Sequence, residues 1–183
     1  FYQSGQSCIS VQRVQVHEAI YEELKSKLIQ AVEALKSGDP RDPETFIGPL
    51  ITEQDAERVV EWIEEAVAGG ATVLTGGQRE DRIVRPTILE NVPKDVRLYR
   101  NEVFGPAVLL EPFSDFDQAL ETINDSRYGL QAGLFVRDIG KIRKAWDRLE
   151  VGGVIINDVP SFRVDHMPYG GVKDSGLGRE GIR

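Results

Sequence analysis

The sequence predicts an α/β protein with a mostly parallel β-sheet flanked by helices. Residues 107–110 form a continuous apolar run, as expected of a strand that is buried on both faces. After this run the patterns alternate between helix at 117–126, strand at 132–136, helix at 139–150 and strand at 153–156. This alternation, with segments of these lengths, is typical of βαβ units and therefore of a parallel sheet.

The first half of the chain adds a strand and two amphipathic helices. An alternating, β-branched pattern predicts a strand that ends at Arg13–His17. Residues 18–36 predict a helix that ends at Ser37-Gly38-Asp39-Pro40, because Gly and Pro terminate helices. The apolar face expected of this helix consists of Ile20, Tyr21, Leu24, Leu28, Ile29, Val32 and Leu35. A second helix is expected to begin after Thr52 as its N-cap and to end at Gly69.

Two shorter extended segments are expected at residues 71–74 and 85–89. Pro86 cannot donate a backbone hydrogen bond, so it is not expected inside a fully paired central strand. The chain shows no internal repeat and no linker, and residues 1–183 are expected to form one domain. The chain begins with Phe1 rather than Met, which predicts a piece of a longer polypeptide.

Composition and charge exclude several classes of function. The formal net charge of −8 disfavours electrostatic binding of nucleic acid or of an anionic membrane surface. The sequence has no apolar run long enough to span a bilayer and no visible signal peptide. One cysteine cannot form a disulfide framework, and the expected compartment is the cytoplasm. One cysteine and two distant histidines do not predict a metal site.

The single cysteine, Cys8, lies in a small polar loop just before the first predicted strand. A thiol on a loop held by a rigid scaffold is a candidate nucleophile. The alternative is a buried, inert cysteine with a packing role only. The surrounding pattern is Phe1-x-x-x-Gly5-Gln6-x-Cys8.

A second pattern, Glu102-x-Phe104-Gly105-Pro106, precedes the buried run. A carboxylate can accept both hydroxyls of a ribose, and an aromatic ring can pack a nicotinamide; the alternative is a turn with a solvated Glu and a core Phe. Three further patterns follow along the chain. They are Asn124-x-x-x-Tyr128-Gly129-Leu130, Gly152-Gly153-Val154-Ile155-Ile156-Asn157 and Pro168-Tyr169-Gly170-Gly171-Val172-Lys173-x-Ser175-Gly176-x-Gly178-Arg179-Glu180.

Together these five ordered patterns resemble the signatures of the NAD(P)-dependent aldehyde dehydrogenases, and they extend over essentially the whole chain. The resemblance implies a catalytic-domain-like fold with Cys8 as the nucleophile. It also implies that Glu102 and Phe104 contact the ribose and nicotinamide of NAD or NADP. The implied substrate is a small aldehyde, and the full-length enzyme is expected to be a homo-oligomer.

The resemblance places the segment around Phe162, Arg163 and His166 at the substrate mouth, with Tyr169 close by in the sequence. A cationic pair of Arg163 and His166 would suit an anionic or hydroxylated aldehyde. For Phe162 the alternative is simple packing, and for Arg163 it is an exposed ion pair with Asp165. The other histidine, His17, ends a strand and is expected to be structural or solvated.

In this family the glutamate base, the asparagine of the oxyanion hole and the nucleotide-binding domain precede the thiol pattern. Only seven residues precede Cys8 here, so the isolated chain is expected to be inactive. Two other functions remain open. One is an acylating or semialdehyde-specific relative that uses coenzyme A, and the other is a non-catalytic oligomerisation module.

Overall fold

The computed structural model describes residues 1–181, and its Cα positions divide into two compact units, Phe1–Ser114 and Asp115 onward. A single domain over residues 1–183 stays a prediction. The first unit begins with a short 3₁₀ turn, Tyr2–Gly5, in which Gln3, Ser4 and Gly5 have positive φ values. It contains helices α1 Glu18–Glu33, α2 Glu53–Ala68 and α3 Arg97–Arg100. Its strands are β1 Arg13–His17, β2 Thr72–Thr75, β3 Arg79–Glu80, β4 Ile83–Val84, β5 Thr87–Glu90 and β6 Ala107–Phe113. The second unit contains helices α4 Phe116–Asn124 and α5 Ile139–Arg148, and strands β7 Tyr128–Gly129, β8 Gln131–Leu134, β9 Gly153–Ile156 and β10 Val172–Lys173.

The first unit is built on a four-stranded sheet in the order β1-β6-β5-β2. Strand β6 runs parallel to both β1 and β5, and β2 is the antiparallel edge strand. Successive β6 side chains point to opposite faces: Leu109 packs in the core that includes α2, and Leu110 packs in the core that includes α1. Both faces are therefore covered, which explains the continuous apolar run. The predicted α/β class with a mostly parallel sheet is confirmed.

Helix α1 is shorter than predicted and presents a different face. It ends at Glu33 because the Lys36 carbonyl accepts the N–H groups of Phe46 and Ile47, which draws the chain out of the helix. Ile20 is 54% exposed, whereas Tyr21 is buried against the sheet and donates its hydroxyl to Glu90 Oε2 at 2.9 Å. The expectation that Ile20 and Leu24 line the core was wrong, since Leu24 is also exposed.

Helix α2 begins as predicted, and its cap explains why. The Thr52 hydroxyl accepts a hydrogen bond from the Asp55 N–H at 3.0 Å, which satisfies one of the unpaired donors at the helix start. Strand β5 begins at Thr87, directly after Pro86. The proline therefore lies outside the paired residues of the strand, as predicted.

The second unit consists of a parallel pair, β8 with β9, and an antiparallel pair, β7 with β10. Strand β9 coincides with the predicted segment 153–156, while β8 begins and ends slightly before its predicted bounds. The hydrophobic core of the second unit is formed by Leu120 of α4, Ala145 of α5 and Leu149, the residue that follows α5. Within residues 1–181, no helix has the length and apolar character needed to cross a membrane.

Candidate active site

Cys8 lies on an exposed turn between the 3₁₀ turn and β1. Residues that precede the cysteine anchor this turn in the fold. Ser4 is buried, and its hydroxyl accepts the Gly48 N–H at 2.9 Å. The Gln6 side chain accepts the Ile51 N–H at 3.0 Å and donates to the Pro49 carbonyl at 3.3 Å. The thiol therefore sits on a loop that is tied to a second loop, and it is exposed rather than buried in this chain. Its role as a nucleophile stays a prediction.

The structure brings the thiol pattern and the Glu-x-Phe-Gly-Pro pattern into direct contact. Gly5 has a φ of +77°, and a Cβ built on it would overlap the carbonyl of Gly105. On its other side, a Cβ on Gly105 would lie 2.7 Å from Val59 Cγ2 of α2. Each glycine is thus required by a close approach, and together they stack the two loops on helix α2. Gly5 and Gly105 are far apart in the sequence, so this contact could not be predicted from the sequence patterns.

Glu102 and Phe104 lie on the loop that leads into β6. The Glu102 side chain is exposed, and Phe104 is half-buried with a φ of +47°. A positive φ is uncommon for a large non-glycine residue and costs about 1–3 kcal/mol, so the surrounding contacts must hold it. An accessible carboxylate two residues before a half-buried aromatic residue is compatible with the ribose and nicotinamide contacts implied by the resemblance, and these roles stay predictions.

The four residues predicted to contact substrate all lie in the second unit. Arg163 stacks on the Tyr169 ring at 4.5 Å and pairs with Glu180 at 3.6 Å, so its ion pair is with Glu180 and not with Asp165. Phe162 is 44% exposed in this chain, and the choice between a substrate contact and packing for its ring stays a prediction. His166 is exposed as well. The loop carrying Phe162 is held by Gln131, which donates to the Pro160 carbonyl at 2.6 Å and to the Phe162 carbonyl at 3.3 Å.

Several polar residues of the later patterns have structural partners. The Asn124 side chain accepts the Glu150 N–H at 2.9 Å and donates to the Arg148 carbonyl at 2.7 Å. Lys173 donates to the Asn124 carbonyl at 2.8 Å, and the Ser175 hydroxyl accepts the Gly129 N–H at 2.9 Å. These hydrogen bonds join the glycine-rich segment to the residues that follow α4. Asn124, Lys173 and Ser175 therefore have structural roles that require no ligand.

His17 is structural, as expected. Its Nδ1 accepts the Ala19 N–H at 3.2 Å at the start of α1, and its ring meets Phe113 edge-on with centroids 5.4 Å apart. In the part of the chain that the structure describes, no three His, Cys, Asp or Glu side chains are arranged to hold a metal ion.

Comparison with known proteins decides the family. The sequence profile described as the aldehyde dehydrogenase family matches residues 1–183. The chain belongs to this family. A 3-sulfolactaldehyde dehydrogenase from Priestia aryabhattai is 51% identical over 181 residues, and the match covers 99% of this chain and 38% of that protein.

Solved aldehyde dehydrogenase structures agree closely with the fold. Aldehyde dehydrogenase 21 from Physcomitrella patens, in complex with its product succinate, has a TM-score of 0.98 and 49% identity; the match covers 99% of this chain and 38% of that one. Glyceraldehyde-3-phosphate dehydrogenase GapN from Methanocaldococcus jannaschii, complexed with NADP, has a TM-score of 0.95 and 40% identity, with 99% and 39% covered.

The cofactor expectation is met at the level of the family. Betaine aldehyde dehydrogenase from Staphylococcus aureus, 34% identical with a TM-score of 0.92 over 99% of this chain and 37% of its own, is a complex with NAD⁺. Aldehyde dehydrogenases similar to this chain are therefore solved with NADP or with NAD⁺. The chain spans less than two fifths of the length of its curated relative, 38% in the case of 3-sulfolactaldehyde dehydrogenase.

Proposed function

We propose that this chain is the thiol-bearing part of an NAD(P)-dependent aldehyde dehydrogenase, which oxidises an aldehyde to a carboxylic acid. The observation that carries the proposal is the contact of Gly5 with Gly105, which stacks the loop bearing Cys8 on the turn that follows Glu102 and Phe104. A nucleophile and the groups that would hold a hydride acceptor must be neighbours for this reaction, and these two loops are.

Cys8 has the role of the nucleophile. Its thiolate adds to the carbonyl carbon of the aldehyde and forms a C–S bond, which leaves a tetrahedral alkoxide. The Cys8 backbone N–H is one donor that would stabilise this alkoxide. Collapse of the alkoxide expels hydride with its electron pair and leaves an acyl thioester on Cys8. Water then attacks the thioester, the C–S bond breaks, the thiol regains its proton and the carboxylic acid departs.

The nicotinamide nucleotide supplies the hydride acceptor when it is bound. Glu102 is the residue of this chain that would accept hydrogen bonds from the ribose hydroxyls, and its exposed carboxylate permits this. Phe104 would pack against the nicotinamide side of the nucleotide. Its backbone has a φ of +47°, a conformation that the neighbouring residues must hold before the nucleotide arrives.

The proposed substrate is an aldehyde that carries a second, acidic group, and Arg163 is the residue that would bind it. Its guanidinium stacks on the Tyr169 ring, and within residues 1–181 the carboxylate that it pairs with is the exposed Glu180, at 3.6 Å. An exposed pair of this kind contributes about 0–1 kcal/mol, so a substrate anion can compete for the guanidinium. The names of three relatives support the class: they refer to a sulfonated aldehyde, to succinate as product and to a phosphorylated aldehyde. Phe162 and His166 would line the same approach.

The proposal includes three further expectations. The chain alone is inactive, since the resemblance puts the glutamate base, the second oxyanion donor and most of the nucleotide contacts ahead of the thiol pattern. Loss of one oxyanion donor costs roughly a hundredfold or more in rate, and loss of the base costs a similar factor. The full-length enzyme is expected to be a cytoplasmic homo-oligomer, as the composition and the resemblance indicate.

The test compares the full-length protein that carries this sequence with its Cys8→Ala variant and with a Ser10→Ala control on the same segment. Formation of NAD(P)H is followed with a panel of neutral and acidic aldehydes. We expect turnover in the wild type and control, none in Cys8→Ala, and unchanged unfolding midpoints in all three because Cys8 is exposed. Dehydrogenase activity that survives in Cys8→Ala would remove this thiol from the reaction.

Two further measurements address the alternatives. Analysis of the acyl product with and without coenzyme A separates hydrolysis to the acid from transfer to a thioester. Alkylation of Cys8 by iodoacetamide, blocked by aldehyde in the full-length protein, would support the catalytic role; a thiol that reacts no differently with aldehyde present would favour the oligomerisation module. The isolated chain should form no NAD(P)H, and turnover within about tenfold of the full-length protein would show that the remaining parts are dispensable.

A further inference from the structure

The loop that carries Glu102 and Phe104 is held by the side chain of Gln12, four residues after Cys8. The Gln12 Nε2 donates to the carbonyls of Leu98 at 3.1 Å and Asn101 at 2.8 Å. Its Oε1 accepts the N–H of Val103 at 2.9 Å. One carboxamide thus joins three backbone groups on both sides of Glu102, in a segment, Asn101 to Gly105, that belongs to no helix or strand.

Gln12 is itself fixed to the sheet. Its backbone carbonyl accepts the Leu109 N–H at 2.8 Å, just before β1 begins to pair with β6. The backbone of Gln12 is therefore held in place by strand β6, and its side chain connects the segment that carries Cys8 with the loop that carries Glu102 and Phe104. A half-buried amide in this place has its hydrogen-bonding groups committed to the loop rather than to solvent.

Arg58 of α2 provides a second side-chain contact to the same loop. Its Nη1 donates to the Val103 carbonyl at 2.9 Å, while its guanidinium stacks on the Trp62 ring at 4.9 Å. Both backbone groups of Val103 are therefore bonded to side chains, one from each neighbouring element. Val103 is buried and directly precedes Phe104, whose positive φ requires such support.

We propose that Gln12 is a positioning residue for the nicotinamide nucleotide, assisted by Arg58. It acts through Val103 and Asn101, whose backbone it fixes so that Glu102 and Phe104 face the nucleotide in one arrangement. The inference rests on the proposed function, because it assigns the loop to nucleotide binding. It further implies that the nucleophile segment and the nucleotide loop share a single anchor, so that the thiol and the hydride acceptor are placed relative to one another.

The test is Gln12→Leu in the full-length protein, with Gln15→Leu as the matched control. Gln15 lies on β1 and is also half-buried, but it bonds to the Glu111 carboxylate rather than to the loop. In Gln12→Leu we expect the Kd of the nucleotide, measured by calorimetry, and its KM to rise at least about tenfold, because the competent loop arrangement is populated less. The KM of the aldehyde and the rate of Cys8 alkylation should change less than about twofold, since hydrogen bonds to the thiol turn are untouched.

Hydrogen exchange gives a readout that does not depend on turnover. The Val103 amide should exchange at least about tenfold faster in Gln12→Leu than in Gln15→Leu, because its acceptor has been removed. If Gln12→Leu does not fold cooperatively, Arg58→Met serves instead: it keeps an unbranched stem over Trp62, removes the bond to the Val103 carbonyl and should weaken nucleotide binding in the same direction.

The outcomes separate the inference from the proposed function. A wild type without nucleotide binding would overturn both. Nucleotide binding that is weakened by Glu102→Gln but unchanged in Gln12→Leu and Arg58→Met would overturn only the role of Gln12. Equal increases in the KM of nucleotide and aldehyde would reduce Gln12 to a general structural residue and would also overturn it.

Discussion

Replacing Gly5 by Ala tests whether the two loops of the proposed active site are stacked as the structure shows. The substitution adds one methyl group to a residue with a φ of +77°. That methyl group would overlap the carbonyl of Gly105 and would lie 2.9 Å from the Pro106 nitrogen. Backbone atoms cannot rotate away as a flexible side chain does, so the loops must separate.

The expected cost has two parts. A left-handed conformation costs a non-glycine residue about 1–2 kcal/mol. Overpacking against a fixed backbone adds about 1–3 kcal/mol. Gly5→Ala should therefore lower the free energy of unfolding by about 2–5 kcal/mol. Gly70→Ala is the control in the same unit: Gly70 has a φ of +110°, but a Cβ there has no atom within 4 Å, so only the first part applies.

Urea unfolding of both variants, followed by tryptophan fluorescence, measures this difference. In the full-length protein, Gly5→Ala should also lower turnover, because separation of the loops moves Cys8 away from Glu102 and Phe104. A Gly5→Ala variant that is no less stable than Gly70→Ala, within about 0.5 kcal/mol, would refute the stacking of Gly5 on Gly105.

Three further predictions follow from individual side chains. Glu102→Gln keeps the shape but removes the charge, so nucleotide affinity in the full-length protein should fall at least about tenfold by calorimetry, and unchanged affinity would make Glu102 a turn residue only. Arg163→Met should raise the KM of a carboxylated or sulfonated aldehyde about tenfold and leave that of a neutral aldehyde of equal length unchanged, whereas equal effects on both would exclude anion binding by Arg163. Burial raises the pKa of Tyr21, and the hydrogen bond to Glu90 adds to this. The resulting stabilisation is complete below about pH 10 and is lost as the pH rises through the folded pKa, so the free energy of unfolding should fall more steeply above pH 10 in the wild type than in Tyr21→Phe; parallel curves would contradict it.

Elements with a strong periodic or apolar pattern were predictable from sequence. Strand β6 contains a continuous apolar run in the sequence because both of its faces are buried. The apolar face of α1 was not predictable in the same way. Its apolar residues extend around more than one face, and only the position of the sheet decides that Tyr21 is buried while Ile20 is exposed. The two-residue strands β3, β4, β7 and β10 carry too few residues for any pattern, and they were not predicted.

The candidate site shows the same division. Cys8, Glu102 and Phe104 were found from local patterns, and their proposed roles stay predictions. The residues that hold them were not found, because a glutamine that bonds to a loop 86 to 91 residues away leaves no mark in its local sequence. The charges near Arg163 were also misassigned, since Asp165 is adjacent in sequence but Glu180 is the partner in the fold.

Glutamine is the residue that the Gln12 position requires, and this follows from the groups around it. Two carbonyls and one N–H face the end of its side chain, so the site needs a donor and an acceptor on one planar group. Glutamate would accept from Val103 but would set an oxygen against the two carbonyls, and lysine or arginine would donate to the carbonyls but leave the Val103 N–H unbonded. A neutral amide also adds no charge beside Glu102, whose carboxylate is proposed to accept hydrogen bonds from the ribose hydroxyls. Gln12→Glu should consequently weaken nucleotide binding about as much as Gln12→Leu does, and a Gln12→Glu variant with unchanged affinity would show that the two donated hydrogen bonds are not needed to position the loop.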